Sequence, residues 1–529
     1  MRPTWMAAAV AACLVASSSV AFAQKSGGIL KMYHRDNPPT LSIHESSTNS
    51  TVIPMMPLFN NLVVYDQKVA QNSPSSIVPD LAKSWDWSAD RKDLTFKLEQ
   101  AVKWHDGKPF TSKDVVCTFN LLTGKGEDKL RTNPRKTWYS NVDSVTTNGD
   151  YEVTVHLHHP QPSLPSLLAS GYSPMYPCHV PAAQMRTRPV GTGPFKFVSF
   201  KQNEGIKIER NPGYWKKGKP YLDGIEFTIV PNRGTAVLSF VSGRFDITFP
   251  WEVTIPILKD IKTQLPAAQC QVTSMNNSTN LILNRDAPPF DNPDLREALN
   301  LAMDRKAFVD ILNQGDAQLG GTMQPLSDGV WGLPKEMLES VPGYGPDVAK
   351  NRDKARELMK KAGYGPDKHL PLKIATRGIS LYKDPAVILA GQLKEIWIDA
   401  DVDIIETAQW FTKIGRKQYQ VGLNTTGNGV DDPDQNYFEN FSCKSERNYT
   451  AYCNPEIEKL MVQQSSMTDI TARKKLVWKV EKILADDVAR PIIGYNVANT
   501  CWDSKVKGLV LQVNSIYNGW RFEDVWLDK

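Results

Sequence analysis

The stretch from Pro189 to Pro250 constrains the fold more than any other part of the chain. Gly191, Gly193 and Pro194 make a sharp entry turn, because two residues without Cβ and one with fixed φ leave little helical freedom. Alternation follows in Phe195, Phe197 and Phe200, then a polar loop from Lys201 to Gly205, then Ile206 and Ile208. That pattern predicts a hairpin with one buried face. A turn at Asn211-Pro212-Gly213 leads through Tyr214 and Trp215 to a mostly apolar strand, Ile225 to Val230. Thr235 to Val241 has helical apolar spacing, Ser242-Gly243 stops it, and Phe245 to Phe249 reads as a short strand. Strands and a helix so tightly punctuated imply an α/β lobe. Gly213 to Pro220 nearly spells a phosphate-binding loop, but Pro220 stands where a hydroxyl is needed and has no N–H to offer. It reads as a lysine-rich surface turn.

The amino-terminal end points to export. After Arg2 an uncharged run reaches Gln24, with an apolar part from about Met6 to Ala16, too short for a hydrocarbon core of about 30 Å. Ala21-Phe22-Ala23 offers small residues where a signal peptidase reads, so cleavage is expected after Ala23. A competing lipobox reading at Val10-Ala11-Ala12-Cys13 leaves an unusually short hydrophobic segment. Residues 24–529 suffice for two or three subdomains with cores of their own. The balance of 62 Lys and Arg against 57 Asp and Glu implies no polyanion partner, and the basic residues are scattered, with no dense stripe for nucleic acid. Removing Cys13 leaves six of the seven cysteines, an even number that in an exported chain favours disulfides over metal or catalytic thiols.

Further along, Gly27 to Tyr33 reads as a first strand, and Asn37-Pro38-Pro39-Thr40-Leu41 turns into a segment ending at Leu62–Asp66. Leu94, Phe96 and Leu98 alternate as a strand. Asp106-Gly107 is a turn, and Thr111 or Ser112 caps a helix with Asp114 in its first turn. His105 and Asp106 therefore read as turn and cap rather than as a catalytic pair. Asn148-Gly149 joins Val142–Thr147 to Tyr151–His156 as a hairpin. His156 and His158 share a strand face and would suit a metal, but no Cys or carboxylate stands at tight companion spacing and Pro160 ends the strand. An exposed strand end competes with that reading.

Ser274 to Ser278 bridges into a strand at Leu281–Asn284. One long helix is expected beyond it, its buried face carrying Leu295, Ala298, Leu299, Ala302, Val309 and Leu312. Leu372–Thr376, Pro385–Trp397, Val402–Ile405, Gln409–Gln418 and Tyr419–Asn424 spell βαβαβ, a parallel lobe. Helices follow at Pro455–Gln464 and Ala472–Asp486, and Arg490 to Cys501 returns the chain to the first lobe. Two crossings, near 275–284 and 491–500, make a hinge.

GTGPFKF, ERNPGYW, GKPYLDGIEF and SGRFDI, in that order over sixty residues, resemble the family 5 (cluster C) extracytoplasmic solute-binding proteins. These are the peptide, nickel and opine receptors of ATP-binding-cassette (ABC) importers. WHDGKPFTSKDV and PPFDNPDLREALNLAMDR are similar to further family segments, while the opening motif is altered to Thr40-Leu41-Ser42-Ile43-His44. The resemblance covers nearly the whole mature chain. It implies an α/β, two-lobed periplasmic-binding-protein fold (type II, cluster C) with an extra subdomain in the first lobe and a two-crossing hinge. Residues 1–23 would be the signal peptide, residues 24–58, 190–274 and 498–529 the core of the first lobe, 59–189 the extra subdomain, and 275–497 the second lobe. It implies a monomeric periplasmic receptor, not an enzyme, of the dipeptide and oligopeptide-binding style. Such a receptor traps a di/oligopeptide or related small solute and delivers it to a membrane permease. No cofactor is expected. A metal or metallophore receptor on the same fold is the alternative. An exported hydrolase is the more distant one, since GxSxG, HExxH and local Cys–His signatures are lacking.

Ligands of open α/β sheets sit at strand ends, which directs attention to Thr425 to Tyr437, a glycine-rich acidic segment that also reads as an Asx-rich turn. The resemblance implies an ammonium-binding Asp four residues ahead of the Pro in the D-P-D element. Here that position is Gly429, flanked by Asn428, with Asp431 or Asp432 as substitutes. Arg377 matches in position the Arg that dipeptide receptors use for a carboxylate, which a planar guanidinium holds bidentately. Trp331 and Trp410 would stack on a ligand or fill the core. Cys443 and Cys453 resemble the disulfide-closed loop of dipeptide receptors, a bridge worth about 2–4 kcal/mol. For the other four cysteines the pairing stays open, with Cys117–Cys178 and Cys270–Cys501 expected.

Overall fold

A computed structural model describes residues 24–529. The signal-peptide and lipobox readings fall on residues 1–23 and lie outside the described residues.

The opening stretch builds the first lobe as its alternation predicts. Phe195–Lys201 and Gly205–Arg210 form the antiparallel hairpin, and Gly224–Ile229 pairs antiparallel with its second arm. The first strand, Ile29–His34, then adds in parallel on the outer side of Gly224–Ile229, closing a four-stranded sheet. The Gly191–Gly193 turn is glycine for lack of space: a Cβ on Gly191 would lie 1.8 Å from the carbonyl oxygen of Leu58. Phe245–Phe249 is not a strand; only Ile247 makes isolated bridges, to Met32 and Trp502, while its aromatic neighbours pack beneath. The Gly213–Pro220 turn is not a plain surface turn either. Lys216 and Lys219 reach inward to Asp80, Glu523 and Asp524, which settles the buried carboxylates of the carboxy-terminal segment.

A second four-stranded sheet, in the order Ala82–Trp87, Asp93–Leu98, Glu152–Leu157, Val142–Thr147, is antiparallel throughout. The helix Ser112–Thr123 packs on it, started by a reciprocal capping box between Thr111 and Asp114.

In the other lobe, Leu370–Arg377 lies between Ile398–Ile405 and Val421–Gly427, all parallel, as the βαβαβ reading predicts. Gln269–Leu283 and Ile492–Trp502 complete this sheet. Both are long enough to leave it and run on into the first lobe, where Cys270 is bonded to Cys501 and Cys501 donates its N–H to Thr248. Their pairing is interrupted between Ser274 and Ser278, the place where the two strands pass from one lobe to the other. The expected long helix is two, Pro293–Ala302 and Arg305–Asn313. Asp304 breaks it by capping the second helix, its side chain accepting the N–H of Ala307.

The cores follow the same division. One large apolar cluster fills the first lobe and its subdomain, and a separate one lies around Leu281, Leu372, Ile374 and Leu423 in the second. Cys117–Cys178 and Cys443–Cys453 are also bonded. Among the described residues, no helix is long and apolar enough to cross a membrane.

Candidate ligand cleft between the lobes

Between the lobes lies a cleft of about 620 Å³, walled by Thr40, Ser46 and Arg131 on one side and Phe411, Arg447 and Tyr449 on the other. Two buried ion clusters bridge the lobes.

The first grows from Arg35-Asp36, directly after the strand Ile29–His34. Arg377 ends the strand Leu370–Arg377 on the opposite lobe, and its Nη2 donates to Asp36 Oδ2 at 2.9 Å. Its other nitrogens are bonded too. Nε and Nη2 reach Thr407 Oγ1 at 3.0 and 2.8 Å, and Nη1 reaches the Tyr382 hydroxyl at 2.8 Å. Arg35 lies over the rings of Phe249, Trp251 and Tyr382, at 5.2, 5.8 and 6.0 Å. Glu252 stands 3.8 Å from both Arg35 and Arg233, and Arg233 extends the bridge to Asp384 at 3.7 Å. Three guanidiniums thus face three carboxylates. Burial works to raise Asp36, but Arg377, Arg35 and His34 outweigh it and hold the carboxyl below its usual range.

The second cluster joins the subdomain to the helix Pro433–Asn440 and the disulfide-closed loop after it. Arg135 uses Nη2 on the carbonyls of Ile43, His44 and Ser46, at 2.8, 3.1 and 2.6 Å, and lies 4.1 Å over the ring of Tyr172. Glu439 pairs with Arg447. Arg490 donates to Asn440 Oδ1 at 2.6 Å and Thr426 Oγ1 at 3.0 Å, and its Nη2 reaches the Arg447 carbonyl at 3.3 Å. Tyr172 and Tyr517, with ring centroids 4.6 Å apart, fill the space towards Gly427.

The residues singled out in the sequence are dispersed around these clusters. Arg377 is in the first, where the carboxylate it holds is that of Asp36. At Gly429 the N–H goes to Gln435, the carbonyl accepts from Asn518, and a Cβ would lie 2.5 Å from Ser170 Oγ. Asn428 bonds its backbone and side-chain amides to Asn276, leaving Oδ1 without a partner. Asp431 accepts from the Val330 N–H through Oδ2, and burial pushes its carboxyl up to about 7. Asp432 caps the helix Pro433–Asn440 and is gripped by both terminal nitrogens of Arg473, at 2.8 and 2.7 Å. Both tryptophans are packed inside the second lobe. Trp410 is fully buried against Ile282, Ala375 and Ile414, and Trp331 lies among Met323, Tyr437 and Val477, with Arg473 over its ring at 4.6 Å. His156 is tied to Asp93 and Thr146, and no group of three or more His, Cys, Asp or Glu suits a metal among the described residues.

Arg35, Asp36, Arg135, Glu439, Arg447 and Arg490 were not legible as site residues. A signal existed in Arg35-Asp36, two opposite charges at the end of a buried strand, and in Arg447 inside the CX9C loop.

The chain is similar to known proteins over most of its length. The profile of the bacterial extracellular solute-binding proteins, family 5 (middle region), matches residues 76–448. The oligopeptide-binding protein AppA of Bacillus subtilis is 27% identical, over 98% of this chain and 96% of its own. The periplasmic oligopeptide-binding protein OppA of Haemophilus influenzae is also 27% identical, over 81% of this chain and 82% of its own. The structure of Bacillus subtilis AppA, solved with a nonapeptide, superposes with a TM-score of 0.83 at 23% identity, covering 96% of this chain and all of that one. The chain belongs to the bacterial extracellular solute-binding proteins of family 5.

Proposed function

We propose that this chain is the periplasmic solute receptor of an ABC importer, closing on a peptide or related small solute and presenting it to the membrane permease. The observation that carries the reading is the cleft itself. Its walls come from both lobes, and the lobes are joined through two paired strands whose register breaks at the crossing. That arrangement suits hinge closure around a ligand. The lobe boundaries at 58/59, 189/190, 274/275 and 497/498 and the cleavage after Ala23 belong to the same reading, as does the absence of turnover. The relatives named for oligopeptide binding support the solute class.

Affinity requires closure. Micromolar binding takes about 8 kcal/mol, and one charge-assisted hydrogen bond nets only about 1.5–3 kcal/mol. Burial of the solute between the lobes must therefore supply much of the remainder. The test is small-angle scattering and thermal unfolding of the mature protein with a library of di- to nonapeptides. A receptor gains thermal stability by binding only its folded form and becomes more compact. Chemical conversion of library members without either effect sinks the reading.

A further inference from the structure

The second ion cluster is not neutral. Arg135, Glu439, Arg447 and Arg490 expose only 1, 0, 3 and 5% of their surface, and they lie within one another's field. Three guanidiniums share a single carboxylate. Glu439 belongs to Arg447, whose proton is held more tightly than usual because that carboxylate outweighs the effect of burial. Arg135 and Arg490 have no such partner. Burial, with repulsion from Arg447, lowers both, Arg490 to about 10. The neighbouring tyrosines do not supply the missing charge: burial raises Tyr172 well above its ordinary value and Tyr139 and Tyr517 to about 12.

Unmet donors occur in both clusters, Arg35 Nε and Nη1 and Arg233 Nε in the first, so the charge balance is what sets the second apart. Arg135 Nε and Nη1, Arg447 Nε and Arg490 Nε are buried and reach no acceptor among the described residues. Buried charges are normally paired and buried donors bonded, because an unmet one keeps its desolvation penalty. Of the three guanidiniums only that of Arg447 lines the 620 Å³ cleft; Arg135 stands one hydrogen bond from it, through the carbonyl of Ser46, and Arg490 one hydrogen bond from it, through the carbonyl of Arg447. The Gly429 position is crowded by Ser170 and Asn518, and the two carboxylates that line the cleft are already engaged, Glu45 by Arg186 and Glu446 by the Asn133 N–H. Arg377 is engaged by Asp36.

We infer that the solute is a small organic polyanion, carrying at least two negative charges, which closes the cleft by bridging Arg135 of one lobe to Arg447 and Arg490 of the other without needing a free ammonium. This inference rests on the receptor reading and narrows its substrate class.

The experiment compares four probes by calorimetry and scattering: citrate, N-acetyl-glutamyl-glutamate, alanyl-alanine and lysyl-lysine. The two anions are expected to bind at least tenfold more tightly than the other two and to compact the protein. Arg490→Gln and Arg447→Gln should weaken anion binding at least tenfold. Should those variants fail to fold, Glu439→Gln serves in their place: it removes the competing carboxylate and should raise the affinity for citrate relative to that for alanyl-alanine several-fold. Equal or tighter binding of alanyl-alanine or lysyl-lysine, or no such relative gain in Glu439→Gln, overturns the polyanion and leaves the receptor standing. Small molecules released from protein recovered from its own cells complete the test. A polyanion supports the inference and a neutral or cationic molecule refutes it. No released molecule, together with no closure on any probe or library peptide, removes the receptor reading as well.

Discussion

The two ion clusters between the lobes use the same residue types and differ in their charge balance. Around Asp36 every buried guanidinium has a carboxylate of the protein and every nitrogen of Arg377 is bonded, though Arg35 Nε and Nη1 reach no acceptor. Around Glu439 two guanidiniums are left over, bonded only to neutral oxygens, and Arg135 Nε and Nη1 and Arg490 Nε lack acceptors. A balanced buried cluster favours the closed lobes without help from the solute. An unbalanced one disfavours closure until an anion arrives. The protein thus separates the residues that hold it shut from those that read the solute.

Four measurements break or sharpen this comparison. The largest effect is expected from Asp36→Asn, which leaves Arg35 and Arg377 buried with one carboxylate too few. Loss of one partner of a buried pair costs about 3 kcal/mol or more, about a hundredfold in apparent ligand affinity. At a ligand concentration that compacts the wild type, scattering should show the variant's lobes still parted; a variant as compact as wild type would remove Asp36 as the fastening. Next comes the bridge closing the loop that carries Arg447. With ten residues of separation between Cys443 and Cys453, the double serine variant should lose about 2–3 kcal/mol in urea unfolding. Anion affinity should fall with it, while the Asp36–Arg377 contact is untouched.

The third measurement is a pH series. Asp36 is held below its usual value, so its stabilisation is complete above the unfolded carboxylate pKa and is lost as pH falls through the folded one. Glu439 goes the other way: burial raises it, against the pull of Arg447 and Arg135, so its contribution is complete below the unfolded value and is lost as pH rises through the folded one. Melting curves of wild type, Asp36→Asn and Glu439→Gln should therefore differ on opposite limbs. Asp36→Asn should converge on wild type in acid, and Glu439→Gln should flatten the decline on the neutral side. Matching limbs would erase the distinction between the clusters. The smallest effect is Gly429→Ala, whose Cβ meets Ser170 Oγ at 2.5 Å. It should cost about 1 kcal/mol, recovered by adding Ser170→Ala. A cost that persists in the double variant would place the constraint in the backbone instead.

Much of the architecture was legible because it is local. Alternation at Phe195–Ile208, the Thr111–Asp114 cap and the βαβαβ order of 370–427 all follow from neighbours in sequence, and each reappears in the structure. Local reasoning failed where one residue tipped a balance. Asp304 ended a helix that apolar spacing would have continued, and Phe245–Phe249 spent its apolar residues on packing rather than on a ladder. The candidate site fared less well. Trp331 and Trp410 had the right chemistry for stacking on a ligand and went into the core. Asp432 had the right charge and went to Arg473. Chemical type says what a side chain is able to do, and partners distant in sequence decide whether it is already doing it.

The sequence by itself determined the parallel strand order and the turns, because periodicity and turn residues act over short separations, and its linked motifs, by resemblance, gave the family, the two-lobed fold and the Cys443–Cys453 loop. Tertiary structure alone decided which charges are spent. Asp36 and Arg377 are 341 positions apart, and Arg135 meets Glu439 and Arg447 only when the lobes come together. A guanidinium's cost and its use both depend on the field around it once water is excluded, and that field is set by folding rather than by neighbours along the chain.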